Sequence, residues 1–113
     1  PYMITVKDAR DLRYIMLNKA GERLFGRPRQ DVIGQTAHDV LREAEADRVF
    51  EADTEALMQP GSVTRSEQVL LNHGHEERLL LTKKIPIPGD DGKPAYLLTI
   101  SEDITERKAA EDA

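Results

Sequence analysis

The strongest constraint on the fold lies in the second half of the chain. Thr64 to Leu71 and Arg78 to Ile87 are strand-like runs of β-branched and large apolar residues flanking the turn Asn72-His73-Gly74-His75. So short a link joins antiparallel neighbours, because a parallel pair needs a crossover of about a dozen residues or more. Gly74 is the residue expected to take the positive φ of that turn. Gly89-Asp90-Asp91-Gly92-Lys93-Pro94 reads as a second turn, and Ala95 to Ser101 as a third strand. Pro86 and Pro88 remove backbone donors, which places the end of the middle strand at a sheet edge or a bulge.

The first half supplies two more strands and the helices. Met3 to Asp8 alternates apolar and polar residues, and Leu12 to Leu17 is rich in large apolar ones. Asn18 is placed to cap a short helix that runs through Phe25 and stops at Gly26. Pro28 suits the first turn of a brief helix, Arg29 to Ile33, which ends at Gly34, and another short helix is expected over His38 to Ala44. The clearest helical period runs from Asp47 to Met58, with Val49, Phe50, Asp53, Ala56 and Leu57 on one face. Asp47 complements the dipole at its start, and Pro60-Gly61 closes it. A charged helix is expected from Glu102 onward. The order predicts an α+β fold, a five-stranded antiparallel sheet with helices packed on one face.

Composition narrows the chemistry. The 113 residues suffice for one domain, and the absence of cysteine excludes disulfides, thiolate catalysis, Cys-ligated metals and thiol-linked chromophores. A net charge of −5 opposes binding to a phosphate backbone, and without tryptophan there are few platforms for stacked bases, so no nucleic-acid partner is expected. No apolar run approaches a membrane span and no signal-peptide pattern opens the chain, so a cytoplasmic location without membrane contact is expected. The chain starts at Pro1 and stops within a helix-forming segment, and so reads as a piece of a longer protein. No nucleophile elbow, phosphate-cradling glycine loop or metalloprotease pair is present, and no enzymatic activity is expected of this domain. Of the acidic cluster Glu51, Asp53 and Glu55, Glu51 and Glu55 share a face, but no third ligand or glycine turn of a calcium loop accompanies them, and the cluster reads as a solvated face. Asp53 also falls on the apolar side of the helix, where, if buried, it requires a basic partner or a ligand donor.

One ordered set of motifs stands out. Asn18-Lys19-Ala20 and Leu24-Phe25-Gly26 precede Asp31-Val32-Ile33-Gly34. His73-Gly74, Lys84-Ile85-Pro86-Ile87, Asp91-Gly92 and Asp103-Ile104-Thr105-Glu106-Arg107-Lys108 follow. In this order the chain resembles a PAS domain, the sensory module of histidine kinases, cyclic-dinucleotide enzymes and transcription regulators. The resemblance covers nearly the whole length. It implies a sheet curved around a small internal cavity over residues 1–103, and an outgoing signalling helix beginning over 104–113. It also implies that Asp103 and Thr105 relay the signal to a covalently linked effector, and that the module is a homodimer. Asp103 and Glu106 stand three apart, a spacing like that of a capping box.

The resemblance implies a range of ligands: haem, flavin, small organic molecules, metal ions, or none. The Asp47-to-Met58 helix has no histidine for haem, leaving only His38, and the cysteine and tryptophan of flavin-binding relatives are missing. His73 and His75 alone make an incomplete metal site. No metal or cofactor is therefore expected, and a small organic ligand is the candidate. Its pocket is expected at Met16, Phe25, Val49, Phe50, Asp53, Leu57 and Leu98, with Leu24 nearby, although any core needs such residues. The alternative is a ligand-free dimerisation or docking module.

Overall fold

The computed structural model describes residues 2–112. Five strands, β1 (Tyr2–Asp8), β2 (Tyr14–Leu17), β3 (Thr64–Leu71), β4 (Glu77–Pro88) and β5 (Pro94–Asp103), form one sheet in the order β2-β1-β5-β4-β3. Every neighbouring pair is antiparallel. Between β2 and β3 lie α1 (Lys19–Phe25), a 3₁₀ turn (Arg29–Asp31), α2 (Ala37–Val40) and α3 (Glu43–Leu57), and α4 (Thr105–Glu111) follows β5. This is the expected α+β plan.

The prolines act as expected. β4 pairs with β3 only as far as Thr64 against Lys84, then continues beside β5 alone. Pro86 and Pro88 occupy that single-sided stretch, and the register slips between Ile87 and Pro88. Asn18 caps α1 by accepting from the Gly21 amide at 3.1 Å, and the same oxygen accepts from Ile4 at 3.0 Å, which binds the helix start to β1. Gly26 ends α1 at φ 67°, and His73 of the β3–β4 hairpin leaves no room for a Cβ there.

Local signals misplaced several boundaries. The second strand begins at Tyr14, because Leu12 sits in a left-handed turn at φ 60°. A register shift opposite Val6 and Lys7 then lets Tyr14 and Leu17 both point inward although they are three apart. The segment expected as one helix over His38 to Ala44 is broken at Leu41 and Arg42, both extended. The long helix therefore starts at Glu43. Asp47 lies inside it and meets His38 Nε2 at 2.8 Å instead of capping it. His75, not Gly74, takes the positive φ of the hairpin, at 62°. Glu102 and Asp103 still pair with Leu81 and Leu80, so the ladder overrides their helical signal and α4 begins at Thr105.

Helices α1 to α3 cover one face of the sheet. Phe25 joins two apolar clusters there, Met3 with Leu70 and Leu80, and Tyr14 with Leu17 and Val32. Its ring meets Tyr14 edge-on at 6.0 Å. A third cluster, Ala37, Ala46 and Val49, packs α2 against α3.

Candidate functional site

The covered face of the sheet carries an unexpectedly polar strip. Strand alternation turns Thr5 and Lys7 of β1, Thr82 and Lys84 of β4, and Thr99 and Ser101 of β5 inward, and all six are buried. Thr5, Thr99 and Lys84 are neighbours across the three strands. Onto this strip α3 delivers Asp53, which is 0% exposed against 2% for Lys7 and 4% for Lys84.

Asp53 bridges the two lysines. Its Oδ2 accepts from Lys7 Nζ, and its Oδ1 accepts from Lys84 Nζ at 2.6 Å. Lys84 also donates to Thr99 Oγ1 at 3.3 Å, and the Lys7 ammonium lies 4.7 Å from the centre of the Tyr14 ring. Burial, partly offset by attraction to Asp53, lowers the Lys7 pKa, and repulsion from Lys84 lowers it further. Burial raises the Tyr14 hydroxyl, as does the Asp53 charge. Thr82 and Ser101 satisfy each other at 2.9 Å.

Three openings meet around this strip. A cavity of about 30 Å³ is lined by Lys7, Lys84 and Thr99 on its polar side and by Phe25, Leu70 and Leu80 on its apolar side. Beyond Lys7 and Asp53 lies a groove of about 150 Å³ bordered by Thr36, His38 and Phe50. A third groove, of about 270 Å³, shares Met3, Leu80 and Ser101 with the cavity and extends to Leu24, His73, Arg78 and Asp103.

At the end of that last groove a polar latch joins β4, β5 and α4. Arg78 Nε donates to Asp103 Oδ2 at 2.7 Å, and its Nη2 reaches both oxygens of Glu106 at 2.8 and 3.0 Å. Asp103 Oδ1 accepts from the Thr105 hydroxyl at 2.6 Å and from its amide at 3.0 Å. The Thr105 hydroxyl in turn accepts from the Leu79 amide at 2.9 Å, while Ile104 N donates to Leu79 O. Thr105 thus continues the β4–β5 ladder for one rung after the backbone has turned into a helix. Glu106 faces Arg78 and does not reach back to the main chain of Asp103, so the capping-box expectation is corrected. The residue at the cap position is Ile104, which makes no side-chain cap bond.

The expected pocket residues divide. Phe25 and Val49 line the interior cavity, and Asp53 and Phe50 border the groove beyond it, where Phe50 is 51% exposed. Leu57 is half-buried and borders none of these three openings. Met16 and Leu98 lie on the opposite face of the sheet, both paired with Val6, because a one-residue change of phase sends a strand side chain to the other side. Asp53 is not part of a solvated face, whereas Glu51 and Glu55 are exposed. Sequence reasoning missed Lys7, Lys84 and Arg78. Lys7 and Lys84 sit at polar positions of alternating strands, which normally face water. His73 packs on Gly26, His75 contacts Arg42, and among the described residues no group of three or more His, Cys, Asp or Glu side chains converges as a metal site would require.

Comparison with known proteins places this geometry. The profile of the PAS fold matches residues 1–109. The uncharacterized protein y4lL of Sinorhizobium fredii is 35% identical over 114 aligned positions, which take in 100% of this chain and 14% of that protein. The Vibrio cholerae VqmA dimer superposes with a TM-score of 0.82 at 20% identity, over 95% of this chain and 48% of VqmA. VqmA has also been solved bound to DPO, with a TM-score of 0.80 at 19% identity over 91% of this chain and 52% of that one. The PAS domain of the Cronobacter turicensis quorum-sensing receptor RpfR, in complex with BDSF, gives 0.73 at 23% identity over 92% and 94%. The chain spans about half of VqmA and a small part of y4lL. At such identities the superpositions speak for the fold alone.

Proposed function

The chain belongs to the PAS family, and from that premise we propose that it senses a small molecule and relays the change to an effector domain. The ligand sits in the groove of about 270 Å³ that shares walls with the helix-covered interior, and its occupancy alters the Arg78–Asp103–Thr105 latch. Helix α4 carries that alteration onward to a covalently linked domain such as a histidine kinase or cyclic-dinucleotide enzyme. One observation carries the reading: the interior cavity and the groove that reaches Arg78 and Asp103 share Met3, Leu80 and Ser101 as walls. A ligand that moves those side chains moves the surroundings of the latch. Allosteric couplings are typically about 1–3 kcal/mol, and single net hydrogen bonds about 0.5–1.5 kcal/mol, so a latch of a few bonds is of the right size to be tipped. VqmA with DPO and RpfR with BDSF support a small-molecule role by analogy.

This regulatory domain is assigned no catalytic residue of its own and no haem, flavin or metal. Its second partner is another copy of the chain, for which the uncovered sheet face is the natural seat. That face carries Ile4, Val6, Met16, Leu98 and Ile100, and VqmA is itself a dimer. No helix among the described residues is long and apolar enough to cross a membrane, and a cytoplasmic location belongs to the same proposal.

The test is Asp103→Ala in the full-length protein. The expected outcome is altered effector output with this domain still folded by circular dichroism; unchanged output rejects the relay. A ligand-free dimerisation module is the second reading, favoured by an interior cavity of only about 30 Å³, room for about a water. It requires that Asp103→Ala leave regulation intact while a charge on the uncovered face, Leu98→Asp, abolishes dimerisation.

A further inference from the structure

We propose that Lys7 is a covalent attachment site, where a small aldehyde or ketone entering the groove beside Phe50 condenses with the side-chain amine to an imine. The site is distinct from the groove that reaches Arg78, and the inference does not depend on the relay. Its basis is a charge count in a dry place. Lys7 and Lys84 are both almost wholly buried and share one carboxylate, Asp53. A buried charge is tolerated only when paired, so the balanced state of the trio is one ammonium, one carboxylate and one neutral amine. Asp53 of α3 and the Tyr14 ring of β2 face Lys7 directly, and Lys84 of β4 stands across Asp53 from it. Burial lowers the Lys7 pKa and Lys84 lowers it further, against the attraction of Asp53. Lys7 is therefore the neutral member of the trio.

A neutral buried amine is a nucleophile; desolvation or a neighbouring cation activates the lysines that form Schiff bases in the same way. Both lysines border the cavity of about 30 Å³, but Lys7 also borders the groove of about 150 Å³, which Lys84 does not. Asp53 shares that groove wall with Lys7, Asp11 and His38 stand at its polar side, and Leu12, Ala37 and Phe50 make the rest apolar. An apolar cavity of about 150 Å³ admits benzene, so the groove has room for a small aromatic or short-chain carbonyl compound. The Phe50 ring, edge-on to His38 at 6.1 Å, offers an aromatic guest a partner. The step balances without an oxidant or reductant. Lys7 Nζ bonds to the carbonyl carbon, and the carbonyl π pair moves to the oxygen. That oxygen then leaves as water, carrying in net the two hydrogens of the amine. The Lys84 ammonium, joined to Lys7 through Asp53, lends the proton the leaving oxygen needs and regains one from the Lys7 nitrogen.

The experiment is brief exposure of the 113-residue chain to benzaldehyde at about pH 7, where an ordinary lysine is almost wholly protonated. Cyanoborohydride then reduces the imine, and mass spectrometry maps the benzylated lysines. The exposed Lys19, Lys83, Lys93 and Lys108 serve as the internal reference. Lys7 is expected to be labelled about tenfold or more faster than any of them, and the preference to vanish in urea, where burial is lost. Lys84→Met leaves the one-to-one pair Lys7–Asp53, which keeps the Lys7 ammonium charged. It is expected to slow labelling at Lys7 about tenfold with the reference lysines unchanged, a response that a merely accessible lysine would not give. Labelling of Lys7 no faster than of the exposed lysines overturns the inference, as does an undiminished Lys7 rate in Lys84→Met. Neither result bears on small-molecule sensing at the larger groove, which is judged by Asp103→Ala in the full-length protein.

Discussion

The molecule contains two ion clusters built from similar groups in opposite proportions. Inside, two lysines share one aspartate, Asp53; at the exit, one arginine, Arg78, serves two carboxylates, Asp103 and Glu106. The inner cluster is buried under α3, whereas the side chains of Asp103 and Glu106 are 32% and 78% exposed. Water decides what each can do. In the interior a charge without a partner is severely penalised, and burial together with Lys84 lowers the Lys7 pKa. At the exit, water and salt screen each pair, so the latch holds weakly and can let go. The difference between the two clusters comes from burial.

The largest effect should therefore follow from removing the inner anion. Asp53→Leu leaves two buried ammoniums facing each other and is expected to cost about 3–5 kcal/mol in urea unfolding, the usual penalty for breaking a buried pair. Lys84→Met instead leaves a balanced pair and adds an apolar side chain, so its stability should match or exceed that of the native chain. If the two variants are equally destabilised, the lysines are equivalent props and the charge imbalance has no special standing.

A middle-sized effect belongs to Thr105. Its hydroxyl is the acceptor for the Leu79 amide where the β4–β5 ladder gives way to α4. Thr105→Val keeps the shape and deletes the acceptor, with an expected loss of about 0.5–1.5 kcal/mol, while Thr105→Ser should lose less. Faster amide exchange at Leu79 in the valine variant would locate the effect at this rung; an unchanged rate would mean that Thr105 only packs there.

The sequence revealed these two regions unequally. Asp103 and Thr105 were legible through a motif, and the hairpin, the Asn18 cap and the edge prolines through local chemistry that tertiary packing did not override. The inner cluster was not legible, because alternation in this sheet runs opposite to habit. In β1 the apolar pair Ile4 and Val6 faces outward while Thr5 and Lys7 are buried, and in β5 Leu98 and Ile100 face outward while Thr99 and Ser101 are buried. Reading apolar as inward placed Leu98 in the pocket and left Lys84 out of it. The inversion leaves polar side chains on the covered face and apolar ones on the uncovered face. Asp53 was the one visible clue, a charge on the apolar side of α3 that required a basic neighbour.

The smallest effect distinguishes the clusters by pH and salt. Burial works against the charge of Asp103, but hydrogen bonds from Arg78 and Thr105 outweigh it and hold its carboxyl below the ordinary 3.8. Hydrogen bonds from Arg78 likewise hold Glu106 below 4.5. A depressed folded-state pKa means that the unfolded chain takes up protons first as the solution is acidified. The latch therefore contributes fully above the ordinary carboxyl values and loses its contribution as pH falls through the folded ones. The stability gap between the native chain and Arg78→Met should be constant from about pH 7 to about pH 5.5 and close below about pH 4. At neutral pH it should also shrink in 1 M salt, where the screening length falls to about 3 Å. The gap for Asp53→Leu should respond less to salt, because its ions are buried and buried pairs are screened much less. A gap for Arg78→Met that ignored both acid and salt would make the exit latch a packing contact, and the contrast between a buried cluster and a screened one would fail.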